Sequence, residues 1–117
     1  MPQFVLLAHD YPAPHFDLML EHANTLRTWR LTAIPQLNNE YSAESLGDHR
    51  LAYLDYEGPV SGNRGSVKRI DRGALEWITN STDSAIVAIR GQLLIGRLEL
   101  NRNSNGWTCC LKALLAD

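Results

Sequence analysis

From His15 to His22 the side chains fall into two alternating sets, with His15, Asp17, Met19 and Glu21 in one and Phe16, Leu18 and Leu20 in the other. A period of two is the signature of a β-strand with distinct faces, and it does not fit a helix. A strand of this kind must bury its apolar face against further strands, and the chain offers them. The apolar run Phe4, Val5, Leu6, Leu7 and Ala8 reads as a buried strand ending on His9, and residues 25–32 repeat the strand pattern after Ala23-Asn24. Asn takes the positive φ that a tight hairpin asks for.

The second half is cut into short apolar runs by glycine and asparagine. The pattern predicts strands at 66–70, 74–79, 85–90, 92–100 and 106–111, with turns at Asp71-Arg72-Gly73, 80–84 and 101–105. Residues 35–47 are polar and without period, which predicts a long exposed loop, and 58–65 is rich in turn residues. Asp48 is placed to cap a short helical turn over 49–54, although the same residues can run as an irregular strand. Either form puts His49 and Tyr53, four apart, on one side. Many short strands with almost no helical period predict a mainly β fold: a small antiparallel β-barrel with long loops and at most a short helical turn.

A length of 117 residues allows one modest core, so residues 1–117 are expected to form a single domain. The net charge of -2 argues against a basic coat for non-specific nucleic-acid binding, while leaving room for a local basic patch. No apolar run approaches the roughly 20 residues of a membrane span, and Met-Pro-Gln is not the basic start of a secretory signal. A cytoplasmic protein without membrane contact is expected. Cys109 and Cys110 are adjacent, and in a strand they point to opposite faces, which suits reduced packing residues and not a disulfide. Trp29, Trp77 and Trp107 fall in three separate strands and are expected in the core.

His15 and Asp17 project the same way from one strand, and the Pro12-Ala13-Pro14 connection can fold back to bring His9 beside them. One imidazole alone is more often a satisfied hydrogen-bonding group than a ligand. Two imidazoles and a carboxylate together can hold a divalent cation with coordination positions left open. Non-haem iron oxygenases use the same ligand set, so the three residues by themselves do not choose the reaction. The segment 48–58, D-H-R-L-A-Y-L-D-Y-E-G, adds an imidazole and a phenol able to donate to a phosphate or to protonate a leaving oxygen. His22 is assigned no role.

Blocks spread over nearly the whole chain carry a resemblance. They are H9-x5-H15-F16-D17-x-x-L20-E21, Trp29, D48-H49-x-L51-x-Y53-L54-D55-Y56-E57-G58, D71-R72-G73 with Glu76-Trp77, G91-x-L93-x-x-G96-x-x-x-L100-x-R102, and W107-x-x-x-L111-K112. With these blocks in order, the chain resembles the phosphoesterase domain of bacterial DNA ligase D. The resemblance implies a small β-barrel, and an enzyme that removes a 3′-phosphate or 3′-terminal ribonucleotide from DNA ends. It implies His9, His15 and Asp17 as metal ligands, manganese as the usual metal, and His49 and Tyr53 as phosphate-contacting catalytic residues, while the nitrogen and oxygen ligand set itself also accepts zinc, iron or nickel. Separate ligase or polymerase proteins would be partners in trans, since 117 residues hold neither module.

Three departures bear on turnover. The family's arginine two residues after the metal-binding aspartate is Met19 here, and the family's lysine following the tryptophan of the third strand is replaced within W29-R30-L31-T32-A33-I34-P35. The loop after Glu57-Gly58 is also shortened. Loss of one donor to a developing oxyanion costs about 100- to 1000-fold in rate. Arg30, Arg50 and Arg64 are the candidates to restore the charge. A metal-containing module that binds phosphate or a nucleic-acid end without turning it over is the alternative to an enzyme.

Overall fold

A computed structural model describes residues 1–114. Among the described residues nine strands follow one another: β1 Gln3–His9, β2 His15–His22, β3 Thr25–Leu31, β4 Glu40–Ser45, β5 Gly58–Pro59, β6 Ser66–Asn80, β7 Ser84–Arg90, β8 Ile95–Asn103 and β9 Gly106–Lys112. A single 3-10 turn, Leu51–Leu54, lies between β4 and β5. The hydrogen-bonded order is β1-β2-β3-β4-β9-β8-β7-β6-β5, and β1 also pairs with β6. That last pairing closes eight antiparallel strands into a barrel, with β5 added outside it, and leaves the barrel strands without an open edge.

The barrel interior is filled by alternate residues of the strands. Phe4 and Leu6 of β1, Leu18 and Leu20 of β2, Trp29 and Leu31 of β3, and partners from β6 to β9 form one apolar cluster. Trp77 and Trp107 pack against it half-buried. Val5, Leu7, Met19, Leu26 and Val67 point the other way and form a second cluster with Leu54. This outer cluster exists because residues 46–65 fold across β1, β2 and β6 as a roof. His49 joins the roof to β3 by a two-way backbone bridge with Leu26, at 2.8 and 2.9 Å. β1 and β2 are therefore buried on both faces.

Several sequence expectations change. The 35–47 segment contains β4, whose half-buried Tyr41 and Ala43 pack on the core while Glu40, Ser42 and Glu44 are exposed. Two apolar positions among so many polar ones are the trace of an edge-like strand, and they are easily read as loop. The Asp71-Arg72-Gly73 turn is absent, because β6 runs unbroken through it. Asp71 is buried, and its carboxylate accepts four backbone N–H groups: Arg72 and Gln92 on Oδ1, Leu93 and Leu94 on Oδ2. Gln92, Leu93 and Leu94 lie in the β7–β8 connection, so the strand predicted from Gln92 starts only at Ile95 and runs on to Asn103. Arg72 points outward, where it donates to Gln3 Oε1, to the Leu54 carbonyl and to Asp55, and so ties the roof to the barrel. The helical turn is shorter than expected, with Arg50 as its N-cap in place of Asp48.

Candidate metal centre

His9 ends β1 and His15 begins β2, and the hairpin register pairs them directly across the two strands. Asp17 lies one pleat further along β2 on the same outward face. One ligand atom from each of His9, His15 and Asp17 falls within 4.8 Å of the other two. His15 and Asp17 are buried, at 7 % and 3 % exposure, and His9 is partly so.

The outer nitrogens of both imidazoles are committed. His15 Nδ1–H donates to the Ala13 carbonyl at 2.8 Å, and His9 Nε2–H donates to the Arg64 carbonyl at 2.8 Å. A ring that gives its proton to a carbonyl presents a lone pair at its other nitrogen, the arrangement a metal ligand requires. His9 Nδ1 is hydrogen-bonded to Asp17 Oδ2 at 3.0 Å, and His15 Nε2 lies 3.0 Å from Asp17 Oδ1. His15 Nε2 and Asp17 Oδ1 are both buried without a hydrogen bond among the described residues. Two acceptors this close repel unless a positive charge lies between them. The donor set of two nitrogens and a carboxylate oxygen fits a divalent transition metal.

Local sequence sets this geometry. Asp10 accepts the Ser66 backbone N–H at 2.8 Å, which holds the end of the roof loop against β1 and brings the Arg64 carbonyl to His9. Gly65, at φ 73°, makes the tight approach to Asp10 and Tyr11 that a side chain would block. The roof also completes a cleft of about 230 Å³ over the three residues. His49 and Tyr53 line it with their rings 5.7 Å apart, and Met19, Leu46, Val60 and Val67 make its apolar wall. His49 Nδ1–H donates to the Gly47 carbonyl at 2.7 Å, which leaves Nε2 as the nitrogen available for chemistry. The five sequence-predicted site residues are thus gathered in one cleft, brought from β1, β2 and the roof.

The arginines separate. Arg30 and Arg64 line this cleft, whereas Arg50 lines an adjoining one with Tyr53, Tyr56 and Val60. Arg64 spends its guanidinium on Ser61, at 2.7 Å to the carbonyl and 3.1 Å to Oγ. Sequence reasoning did not single out Arg30 from the other two, yet the signal was present. Counting back from the two-residue Ala23-Asn24 turn, where both residues have positive φ, pairs Arg30 with Asp17. His22 is exposed and edge-on to Trp77, away from the cleft. Arg27 is also remote, lying 4.9 Å over the Trp29 ring, and burial lowers its pKa against the opposing pull of Asp48.

Comparison with protein families finds one described as the DNA Ligase D 3′-phosphoesterase domain, matched over residues 7–109. Comparison with curated proteins finds no match. Among the described residues no helix is long and apolar enough to cross a membrane.

Proposed function

The chain belongs to the DNA ligase D 3′-phosphoesterase domain family, and from that premise we propose a metal-dependent phosphoesterase that removes a 3′-phosphate or 3′-terminal ribonucleotide from DNA ends. The observation that carries the metal is the pair of buried atoms His15 Nε2 and Asp17 Oδ1, 3.0 Å apart and each without a hydrogen-bond partner among the described residues. His9, His15 and Asp17 would hold the ion, manganese by the resemblance and zinc as the alternative. The chemistry such an ion supplies is polarisation of a phosphoryl oxygen and activation of water at neutral pH.

The protein's own groups do the rest. Ala13 and Arg64 fix the imidazoles by their carbonyls, so both ligands are oriented before any substrate arrives. With Nδ1–H held by the Gly47 carbonyl, His49 Nε2 donates to a phosphate oxygen or to the leaving oxygen only as the imidazolium, and the Tyr53 hydroxyl offers a second donor from the same side. The apolar wall of Met19, Leu46, Val60 and Val67 keeps bulk water from one flank and strengthens those hydrogen bonds. Removal of a 3′-phosphate leaves a 3′-hydroxyl, which a ligase or polymerase acting in trans can use.

Manganese-loaded protein incubated with a 3′-phosphorylated primer-template should release inorganic phosphate, and His49→Ala should slow release about 100-fold or more. No release at high protein concentration would overturn the hydrolase reading. Met19 in place of a phosphate-gripping arginine favours a second reading, a module that retains the metal and binds a phosphorylated end without turnover. Tight binding of the 3′-phosphorylated end with no release would establish it.

A further inference from the structure

We propose that the anion-gripping cation of this site has moved from the ligand strand to its neighbour, where Arg30 binds the substrate phosphate and Glu44 holds it in waiting. The inference rests on the reading above that the cleft accepts a phosphoester. The position two residues after Asp17 supplies no charge, for Met19 contributes only an apolar part of the cleft wall and packs among Val5, Leu7, Leu26, Leu54 and Val67. Arg30 is the register partner of Asp17 on β3, so the two side chains leave the sheet side by side on the same face. It lines the same cleft.

The donors of Arg30 are largely unspent. Its Nε is buried and makes no hydrogen bond among the described residues, and its nearest acidic partner is Glu44 Oε1 at 3.6 Å, a loose pair with an exposed carboxylate. Arg64, the other arginine on the cleft, is already committed to Ser61. A guanidinium with a buried free N–H is matched to the two oxygens of a phosphate, which it can grip bidentately. Glu44 neutralises the charge in the absence of substrate and is displaced when the dianion arrives. The ligand class is a phosphomonoester or another tetrahedral oxyanion.

The test compares wild type, Arg30→Gln, Arg30→Lys and Glu44→Gln, each loaded with manganese, by calorimetric titration with inorganic phosphate. Manganese affinity is measured separately by electron paramagnetic resonance, and phosphate release from a 3′-phosphorylated oligonucleotide is followed in parallel. Arg30→Gln is expected to weaken phosphate binding about 10-fold or more and to cut release about 100- to 1000-fold, with manganese affinity unchanged. Arg30→Lys should recover part of the binding, and Glu44→Gln should tighten it about two- to fivefold. Phosphate binding equal to wild type in Arg30→Gln would overturn the proposal, as would a parallel loss of manganese. Arg30-dependent binding with no release in wild type would support the proposal and overturn the hydrolase reading instead.

Discussion

The inward and outward faces of β1 and β2 are both buried, but by different means and to different ends. Inward, Phe4, Leu6, Leu18 and Leu20 meet apolar side chains from the far wall of a closed barrel. Outward, Val5, Leu7 and Met19 are covered by a single 3-10 turn and its loops, and the same face then carries His9, His15 and Asp17. The barrel gives the ligands a rigid base and the roof gives them a cleft. Neither alone makes a site: a bare barrel face would leave Asp17 in water, and a fully packed one would leave no room for a substrate.

This contrast can be broken by experiment. Leu18→Ala should cost about 4 kcal/mol of unfolding free energy, measured with urea, because the closed barrel cannot collapse around the void. Met19→Ala, one residue along and equally buried, should cost about 2 kcal/mol, since its neighbours belong to a loop segment that can relax. Equal losses would show that the outer cluster is as tightly packed as the inner one.

A smaller effect distinguishes the faces of β9. Cys109 faces the barrel core, and burial, with a lesser contribution from Cys110, pushes its thiol pKa from 9.0 up to about 12. The unfolded chain therefore releases this proton first, so the neutral thiol's stability is intact below pH 9 and is lost as pH rises towards about 12. The slope approaches about 1.4 kcal/mol per pH unit at most. The difference in stability between wild type and Cys109→Ala, followed by urea unfolding from pH 8 to 10.5, should narrow on the alkaline side. A difference independent of pH would place Cys109 in a wetter environment than the barrel interior.

Much of this was legible in the sequence, and the gaps have physical causes. The alternation over His15–His22 and the two-residue turn after it specify strand, face and register together. The barrel itself follows from many short strands that need partners. The unbroken β6 was hidden because Asp71 and Gly73 look like turn residues, whereas Asp71 is satisfied by four backbone N–H groups and Gly73 lets the Arg90 backbone pass close by. A polar residue buried with all its partners reads from sequence as an exposed one. The double burial of β2 was also invisible, since its outer cover comes from Leu54 and Val67, far along the chain. His49 and Tyr53 were found by their spacing of four and by the family pattern, but their place over the ligands depends on the backbone bridge to Leu26.

The central claim is that the outer face of this hairpin is built to hold a metal ion. Manganese titration of the metal-free protein, read by the loss of the free-ion paramagnetic signal, tests it most directly. Wild type should bind a single ion, and His15→Ala and Asp17→Asn should each weaken binding about 100-fold or more while Leu18→Ala, for all its cost to stability, leaves it intact under folding conditions. Binding by His15→Ala and Asp17→Asn at the wild-type level would contradict the account.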